Sequence, residues 1–362
     1  MTSTTQLAPP ADSSVVPDSS SDSTFDNGIA QGTSTKITGL LVALIVLGVL
    51  IVLSIAVGAN RLGLHTVWDA ITGSGSGESV ALVRGLRVPR TVAGLVVGVA
   101  LGLAGALIQA LTRNPLADPG ILGVNSGAAF FVVVAMGVFH VRAVTGYVWF
   151  ALFGALLVTF AVYLIGSVGR RSVDPIQLTL AGVAVGAVLT GAATAMMLMD
   201  PGTFEHMRSW NAGAISGLRF DTIVPVLPFL AVGAVLALLV AHPLNAIALG
   251  DDLAKTLGVN VNRIRIVVVV AVTLLAGGAT ALAGPIGFVG LMVPHVARWF
   301  VGPDQRWIMA YTVAIAPCLL LASDVLGRIV IAPAELPVGV VTAFVGAPVL
   351  ILLVHRRRVS GL

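Results

Sequence analysis

Charged residues are scarce in this sequence. Of its 362 residues only 10% are Asp, Glu, Lys or Arg, whereas 57% are hydrophobic; an average soluble domain has roughly 25% charged residues. Runs of about 20 apolar residues recur along the chain, and each is long enough to cross a hydrocarbon core of about 30 Å as a helix. These spans must be helical because lipid offers the backbone no hydrogen-bond partner. The composition excludes a soluble domain and predicts an all-α polytopic membrane protein.

Cysteine is nearly absent too, since Cys318 is the single one. One thiol cannot form a disulfide within the chain, so the sequence predicts no disulfide framework. Cys318 lies in the apolar run 316–321, which favours a small buried hydrophobic residue over a redox group.

The predicted spans contain almost no ionisable side chains. Their main strongly polar residues are Gln109, Asn125 and Gln177, with His295 toward a cytoplasmic end. Carriers coupled to protons or ions usually keep an Asp, Glu or His in mid-membrane. We therefore expect the energy for any transport to come from another protein, and a self-sufficient secondary carrier or channel is the less favoured alternative.

Residues for catalysis, metal binding or nucleotide binding are missing as well. The six histidines include no pair at ligand spacing, and His295 fits a hydrogen-bonded structural role better than a metal ligand. A Walker A sequence needs Gly before its Lys, but Lys36 follows Thr and Lys255 follows Ala. We expect no catalytic residue, no metal site and no cofactor bound by this chain, which disfavours an intramembrane enzyme.

Ten transmembrane helices are predicted from the apolar runs. They lie at about 38–58, 91–111, 120–139, 147–168, 176–199, 222–241, 264–283, 285–300, 307–323 and 337–354. The transmembrane domain then covers 37–356, followed by a cytoplasmic C-terminal tail at 357–362. Residues 1–36 are rich in Ser, Thr, Asp and Pro, which predicts a disordered cytoplasmic N-terminal tail. Because this tail lacks a basic region before a short apolar one, we expect the first span to be retained.

The distribution of basic residues predicts that both termini are cytoplasmic. In that orientation the 20 Lys and Arg residues divide into 12 inside and 8 outside. Setting aside Arg84, Arg87 and Arg90 leaves 5 outside, in agreement with the positive-inside rule. The net charge of +4 therefore indicates cytoplasmic loops rather than a nucleic-acid partner, and the arginines at 84–90 are a local exception.

Glycine is abundant, with 41 residues, and much of it has helical spacing. Gly94, Gly98 and Gly102 recur every four residues in the second predicted span. Small residues at this spacing allow helix backbones to approach closely. We favour packing within the chain for this glycine face, while a role facing a pore remains the alternative.

The segment 250–258 lies in a predicted cytoplasmic loop and has the pattern of a short helix. Gly250 and Gly258 bracket it, and Leu253 and Leu257 lie four residues apart. The residues alone support a plain loop helix and a docking helix for a partner protein equally well.

Six motifs of this chain resemble those of the FecCD/BtuC-type ABC importer permeases. They occur in the same order as in that family, and the similarity extends from about 38 to 356. Within the family the sequence is most similar to the ferric enterobactin permeases, whereas residues 1–36 are outside the resemblance. The motifs are RVPR at 87–90, NPLADPG at 114–120, LGVN at 122–125, the segment 250–258, GPIGFVGLMVPH at 284–295 and ELPVGVV at 335–341.

The resemblance implies a type II ABC importer permease fold, in which helices 2–5 and 7–10 form inverted repeats. It also implies a bacterial cytoplasmic membrane location and three kinds of partner: a second permease, two ATPases that bind ATP and Mg, and an extracytoplasmic binding protein. A heterodimer of permeases is favoured over a homodimer. The implied cargo is an iron–siderophore complex, with cobalamin or haem as the alternative.

The resemblance also implies roles for particular residues. Arg87, Arg90 and Arg328 match arginines that receive glutamates of the binding protein at the external rim; the alternative for Arg90 is that it snorkels or caps a neighbouring helix. The segment 250–258 matches the loop that seats in a groove of the ATPase. Its coupling residues would be Gly250, Asp251, Asp252, Ala254, Leu257 and Gly258.

Overall fold

The computed structural model describes residues 32–58, 63–72, 77–167 and 175–359. Within these ranges all regular secondary structure is helical, which confirms the all-α prediction. A π-helical turn, Val83–Arg87, joins the third helix to the fourth. The α-helices of the described ranges are α1 (Thr33–Ala56), α2 (Leu64–Thr72), α3 (Gly77–Leu82), α4 (Val88–Thr112), α5 (Val124–Gly137), α6 (Val144–Ser167), α7 (Pro175–Met199), α8 (Pro201–Asn211), α9 (Phe220–Ala248), α10 (Asp251–Thr256), α11 (Val261–Ala283), α12 (Val289–Val301), α13 (Gln305–Val330) and α14 (Val338–Val359).

Ten of these helices correspond to the ten predicted spans. In the described part of the chain, seven helical segments are long and apolar enough to cross a membrane: α1, the continuous run from α3 to α4, α6, α7, α9, α11 and α13. The shorter apolar helices α5, α12 and α14 account for the other three spans. The chain is therefore a multi-pass membrane protein.

The helices extend further toward both termini than the predicted domain boundaries. α1 begins at Thr33, so residues 33–36 are helical, while residues 1–31 of the predicted tail lie outside the described residues. At the other end α14 runs to Val359 and takes in residues 357–359.

The end of α13 lies beyond the predicted span and carries two charged residues. The predicted span stops at 323, but α13 continues to Val330 and includes both Asp324 and Arg328. These side chains form an ion pair four residues apart. Opposite charges at this spacing stabilise a helix, so the charged residues do not end it.

Two sets of four helices show the same pattern of lengths. α4 to α7 contain 25, 14, 24 and 25 residues, and α11 to α14 contain 23, 13, 26 and 22. In each set the short second helix follows a residue with positive φ, Gly123 (75°) before α5 and Phe288 (68°) before α12. This pattern is what a duplicated four-helix unit would give, as in transporters with inverted repeats.

α4 and α11 form the centre of the molecule. In the most apolar 18-residue stretch of each of these helices, 78% of the residues are buried, whereas the share is 6% in α1 and 11% in α7. α4 packs against α9, α11, α12 and α13, whereas α1 packs mainly against α13. A displacement of α4 would therefore reach most of the core, while α1 and α7 lie at the periphery.

The predicted glycine face of α4 lies against α13. A Cβ atom at Gly98 would be 2.7 Å from the Cα of Pro317, which is backbone and cannot move aside. Cβ atoms at Gly94 and Gly102 would each lie 2.6 Å from a side-chain atom of α13. The structure thus places all three glycines in a contact within the chain, where only hydrogen fits.

Candidate docking and coupling sites

The two candidate sites lie at opposite ends of α4. At its beginning, the π-helical turn Val83–Arg87 leads into α4 with Pro89 in the first turn, where the missing N–H of proline costs nothing. Arg87 and Arg90 are three residues apart and share one helix face. At the other end, Arg113 caps α4 with a left-handed φ of 51°. A helix of 25 residues separates the two sites by roughly 37 Å.

We name the first site the rim cluster, and it consists of Ser54, Arg87, Arg90, Asp324, Arg328 and Glu335. Its three arginines and Glu335 line a cavity of about 300 Å³, together with Ser216 and Gly217. The structure therefore brings together the three arginines predicted for docking, although Arg328 is more than 200 residues from the other two.

Arg87 and Arg328 are buried and bind the end of α1. Nη1 of Arg87 donates to the carbonyl oxygens of Ile55 and Ala56 at 2.7 and 2.8 Å. Nη1 of Arg328 donates to those of Ser54 and Val57, both at 2.8 Å. The last carbonyl groups of a helix have no partner within it, so these two guanidinium groups serve as its cap.

Asp324 is the acidic centre of the rim cluster. Its side chain is only 1% exposed and accepts hydrogen bonds from Arg328 and from Arg90, whose Nη2 lies at 2.8 Å. Nη1 of Arg90 also donates to Oε2 of Glu335 at 2.7 Å. The side chain of Glu335 is 36% exposed and that of Arg90 13%. The cluster thus holds three guanidinium groups and two carboxylates, and only the Arg90–Glu335 pair has appreciable contact with solvent.

The sequence interpretation missed Ser54, Asp324 and Glu335. Two signals for Asp324 were present: it is four residues before Arg328, and it closes an apolar run where an acid is rare. Glu335 belongs to a motif that was recognised, but its pairing with Arg90 joins residues 245 positions apart and leaves no local pattern.

The second site is built around α10, the short helix that the sequence predicted between Gly250 and Gly258. Both glycines have positive φ, 119° and 81°, and a Cβ atom at either would meet no atom within 4 Å. The backbone conformation, rather than space, thus requires glycine here.

The residues predicted to couple the permease to the ATPase divide between two faces of α10. Ala254 is fully buried against the protein body, whereas Leu253 and Leu257 are exposed. The side chain of Asp252 is 100% exposed and pairs only with Lys255, three residues on. Asp251 points the other way and pairs with Arg113 and Arg265. Only the outer face of α10 is available to a partner.

A second polar contact holds the segment that leads into α10. Nδ2 of Asn245, near the end of α9, donates to Oδ1 of Asp304 at 2.8 Å, and Oδ1 of Asn245 accepts from the backbone N–H of Gln305. Burial opposes ionisation of Asp304, but the hydrogen bonds from Asn245 and the Arg306 N–H and the nearby positive charges lower its pKa overall. Asp304 is therefore ionised at neutral pH and ties α9 to α13.

Two of the polar residues predicted inside the spans connect helices. Nε2 of Gln109 in α4 donates to the carbonyl oxygen of Leu291 in α12 at 2.9 Å. Oδ1 of Asn125 in α5 accepts from Thr280 in α11 at 2.9 Å. His295 is buried, with its ring 5.5 Å from that of Trp299. Among the described residues no three His, Cys, Asp or Glu side chains are grouped so as to hold a metal ion.

In the described ranges, ten apolar helices, eight of them in two four-helix sets, with charged clusters at helix ends, define a polytopic membrane transport protein. The model of the FecCD transport family matches residues 44–356. The chain belongs to this family.

Its relatives are transport permeases. The chain is 44% identical to the ferric enterobactin transport system permease protein FepD of Escherichia coli K12 over 338 residues, which cover 93% of this chain and 100% of that protein. It is 38% identical to the iron(3+)-hydroxamate import system permease protein FhuB of Bacillus subtilis (84% and 80% covered) and 34% identical to the hemin transport system permease protein HmuU of Yersinia pestis (87% and 94%).

The fold is that of a known transporter structure. A metal-chelate type ABC transporter solved in an inward-facing conformation superposes with a TM-score of 0.80, at 24% sequence identity, and covers 88% of this chain and 99% of that one. The predicted ABC permease fold is thereby confirmed.

Proposed function

We propose that this protein is the transmembrane subunit of an ATP-driven importer that moves a ferric siderophore from an extracytoplasmic binding protein into a bacterial cell. The observation that carries this proposal is the 44% identity to a ferric enterobactin permease along its full length. The identity to a hemin permease is lower, at 34%. Haem, like cobalamin, is thus the second candidate cargo.

We infer that a separate ATPase drives transport and docks on α10. Leu253 and Leu257 are 48% and 60% exposed and, four residues apart, lie next to each other on one helix face. Exposed apolar side chains on an otherwise polar loop are typical of a partner surface. ATP and Mg would be bound by that ATPase, because this chain has no phosphate-binding loop.

We further infer that a second permease covers α7, and we favour a heterodimer. Leu180, Val183 and Val188 of α7 are more than 60% exposed, although α7 belongs to one of the two four-helix sets. A cargo as large as a siderophore chelate needs a pathway wider than the interior of one tightly packed bundle. A pathway between two permeases would supply that width.

The cargo is tested by uptake into vesicles that contain this permease, its partner permease, the ATPase and the binding protein. We expect ATP-dependent uptake of radiolabelled ferric enterobactin, and loss of uptake when the Walker A lysine of the ATPase is changed. Uptake of haemin or cobalamin in place of the ferric siderophore would refute the cargo. Uptake that persists without ATPase activity would instead contradict the ABC mechanism.

We propose that the rim cluster receives the binding protein through Arg90. Arg87 and Arg328 bind backbone carbonyl groups of α1, so their guanidinium groups stabilise the rim cluster itself. Arg90 is the arginine whose present partner, Glu335, is partly in solvent, and a carboxylate of a binding protein could replace it. Charge pairs of this kind mainly speed association and fix orientation.

Arg90→Gln and Glu335→Gln should change docking in opposite directions. The first removes a cation from the docking surface and should weaken binding-protein affinity about fivefold, since an exposed pair contributes up to about 1 kcal/mol. The second removes the competing carboxylate and should tighten binding. Surface plasmon resonance at low and high salt measures both, and the differences should shrink at high salt. Equal affinities for the two variants and the native protein would overturn the role of Arg90.

A further inference from the structure

The contacts of Asp251 connect α10 to the core of the permease. Oδ1 of Asp251 accepts from Nη2 of Arg113 and Oδ2 accepts from Nη2 of Arg265 at 2.7 Å, so each oxygen has its own guanidinium partner. Nε of Arg113 also donates to the carbonyl oxygen of Ile247 at 2.9 Å. We name Asp251, Arg113 and Arg265 the Asp251 clamp. It joins α10 to the ends of α4, α9 and α11.

Burial makes this clamp different from a surface ion pair. The side chain of Arg265 is 8% exposed and that of Asp251 29%. Charge-assisted hydrogen bonds of this kind are stronger than those between neutral groups. A buried guanidinium that loses its carboxylate is left with an uncompensated desolvation cost. The Asp251–Arg265 contact should therefore persist while α10 moves.

The neighbouring Asp252 provides the contrast. Its side chain is wholly exposed and pairs only with Lys255 on the same helix, an arrangement that contributes little. Two adjacent carboxylates thus lie on opposite faces: Asp252 faces outward with the leucines, and Asp251 faces the protein body.

Without the clamp, α10 would be held against the protein body mainly by the burial of Ala254. It contains six residues and is bordered by Gly250 and Gly258, which have positive φ and open space around them. The backbone torsions of glycines in such positions can change with little steric resistance. The clamp bypasses both glycines, because Arg113 and Arg265 belong to the ends of α4 and α11, the two most buried spans.

We propose that Asp251 is a positioning residue that transmits movement of α10 to α4 and α11 and so couples ATP hydrolysis to transport. The inference rests on the proposed function, because it requires an ATPase docked on the outer face of α10. Asp251 itself would not contact the ATPase. This refines the sequence-based prediction, which named Asp251 as one of the residues that couple the permease to the ATPase.

Asp251→Asn, with Asp252→Asn as the matched control, tests the clamp. The change is the same at both positions, but only Asp251→Asn removes a charge held by two arginines. We expect Asp251→Asn to copurify with the ATPase and hydrolyse ATP as the native complex does, while uptake per ATP falls about tenfold. Asp252→Asn changes the proposed docking face, so it is compared only in complexes that retain the ATPase; in these, uptake per ATP should stay native, because the exposed Asp252–Lys255 pair contributes little. Asp251→Glu, which restores the carboxylate, should recover part of the coupling.

Other outcomes would overturn the proposal. Loss of ATPase copurification in Asp251→Asn would make Asp251 a docking contact, and unchanged uptake per ATP would make the clamp irrelevant to coupling. If Asp251→Asn does not fold, Arg113→Gln decides, because the Arg113 side chain is 42% exposed and its loss leaves Arg265 paired. Uptake per ATP must then fall by less than tenfold, since only the link to α4 is broken; native uptake per ATP in this variant would overturn the proposal. Absence of ATP-dependent uptake in the native complex would refute the proposed function instead.

Discussion

Gly105→Ala should prevent the permease from folding, although it adds a single methyl group. A Cβ atom at position 105 would overlap the backbone carbonyl of Gly290, where α4 crosses α12. Alanine improves helix propensity by about 1 kcal/mol, but here the two backbones must separate. Overpacking that forces backbone shifts costs about 1–3 kcal/mol and occasionally more, and a Cβ atom that overlaps a backbone carbonyl belongs at the upper end. The steric cost therefore exceeds the gain, and the monodisperse peak in size-exclusion chromatography should disappear.

Gly48→Ala is the matched control for this prediction. Gly48 is also inside a spanning helix, α1, but a Cβ atom there would meet nothing within 4 Å. Its alanine variant should be as stable as the native protein or slightly more so. If both variants gave native yields and melting temperatures, the close contact of α4 with α12 would not exist in the membrane.

Asp324→Asn should be the most damaging substitution of a charged residue. The amide has the same shape as the carboxylate but no charge, so Arg90 and Arg328 would lose their shared counter-ion in a buried cluster. Removing one partner of a buried ion pair typically costs about 3–5 kcal/mol. We expect a large fall in the free energy of unfolding, measured by denaturant titration in detergent.

Glu335→Gln, measured by the same denaturant titration, shows how much of the effect of losing a charge depends on burial. Glu335 pairs with Arg90 as Asp324 does, but its side chain is 36% exposed. Its loss should cost less than about 1 kcal/mol. A similar destabilisation by both substitutions would show that burial of the rim cluster does not set the strength of its ion pairs.

The sequence was sufficient to predict the helices but not the direction of their side chains. Apolar runs predicted ten spans, and the bracketing glycines predicted α10, because both signals are local. The orientation of Arg87 depends on carbonyl groups more than 30 residues away, and the partner of Arg90 is 234 residues away. Such pairings form only when the helices pack together, so no local sequence pattern predicts them.

The two faces of α10 show a further limit. Periodicity placed Leu253 and Leu257 on one face, and hydrophobicity alone would turn that face inward. The structure turns Ala254 inward instead and leaves the leucines exposed. The small side chain of Ala254 fits in the limited space between α10 and the protein body. The larger apolar side chains of Leu253 and Leu257 therefore stay available to a partner.

The capping of α1 by Arg87 and Arg328 bears on the charge balance of the rim cluster. Three guanidinium groups face two carboxylates there, and the C-terminal end of a helix, which acts as about half a negative charge, offsets about half of the remaining positive charge. The first span, so little buried along its length, thus serves as a counter-ion through its final carbonyl groups. If α1 were displaced, Arg87 and Arg328 would lose the carbonyl acceptors that α1 supplies, so this peripheral helix contributes to the electrostatics of the rim cluster.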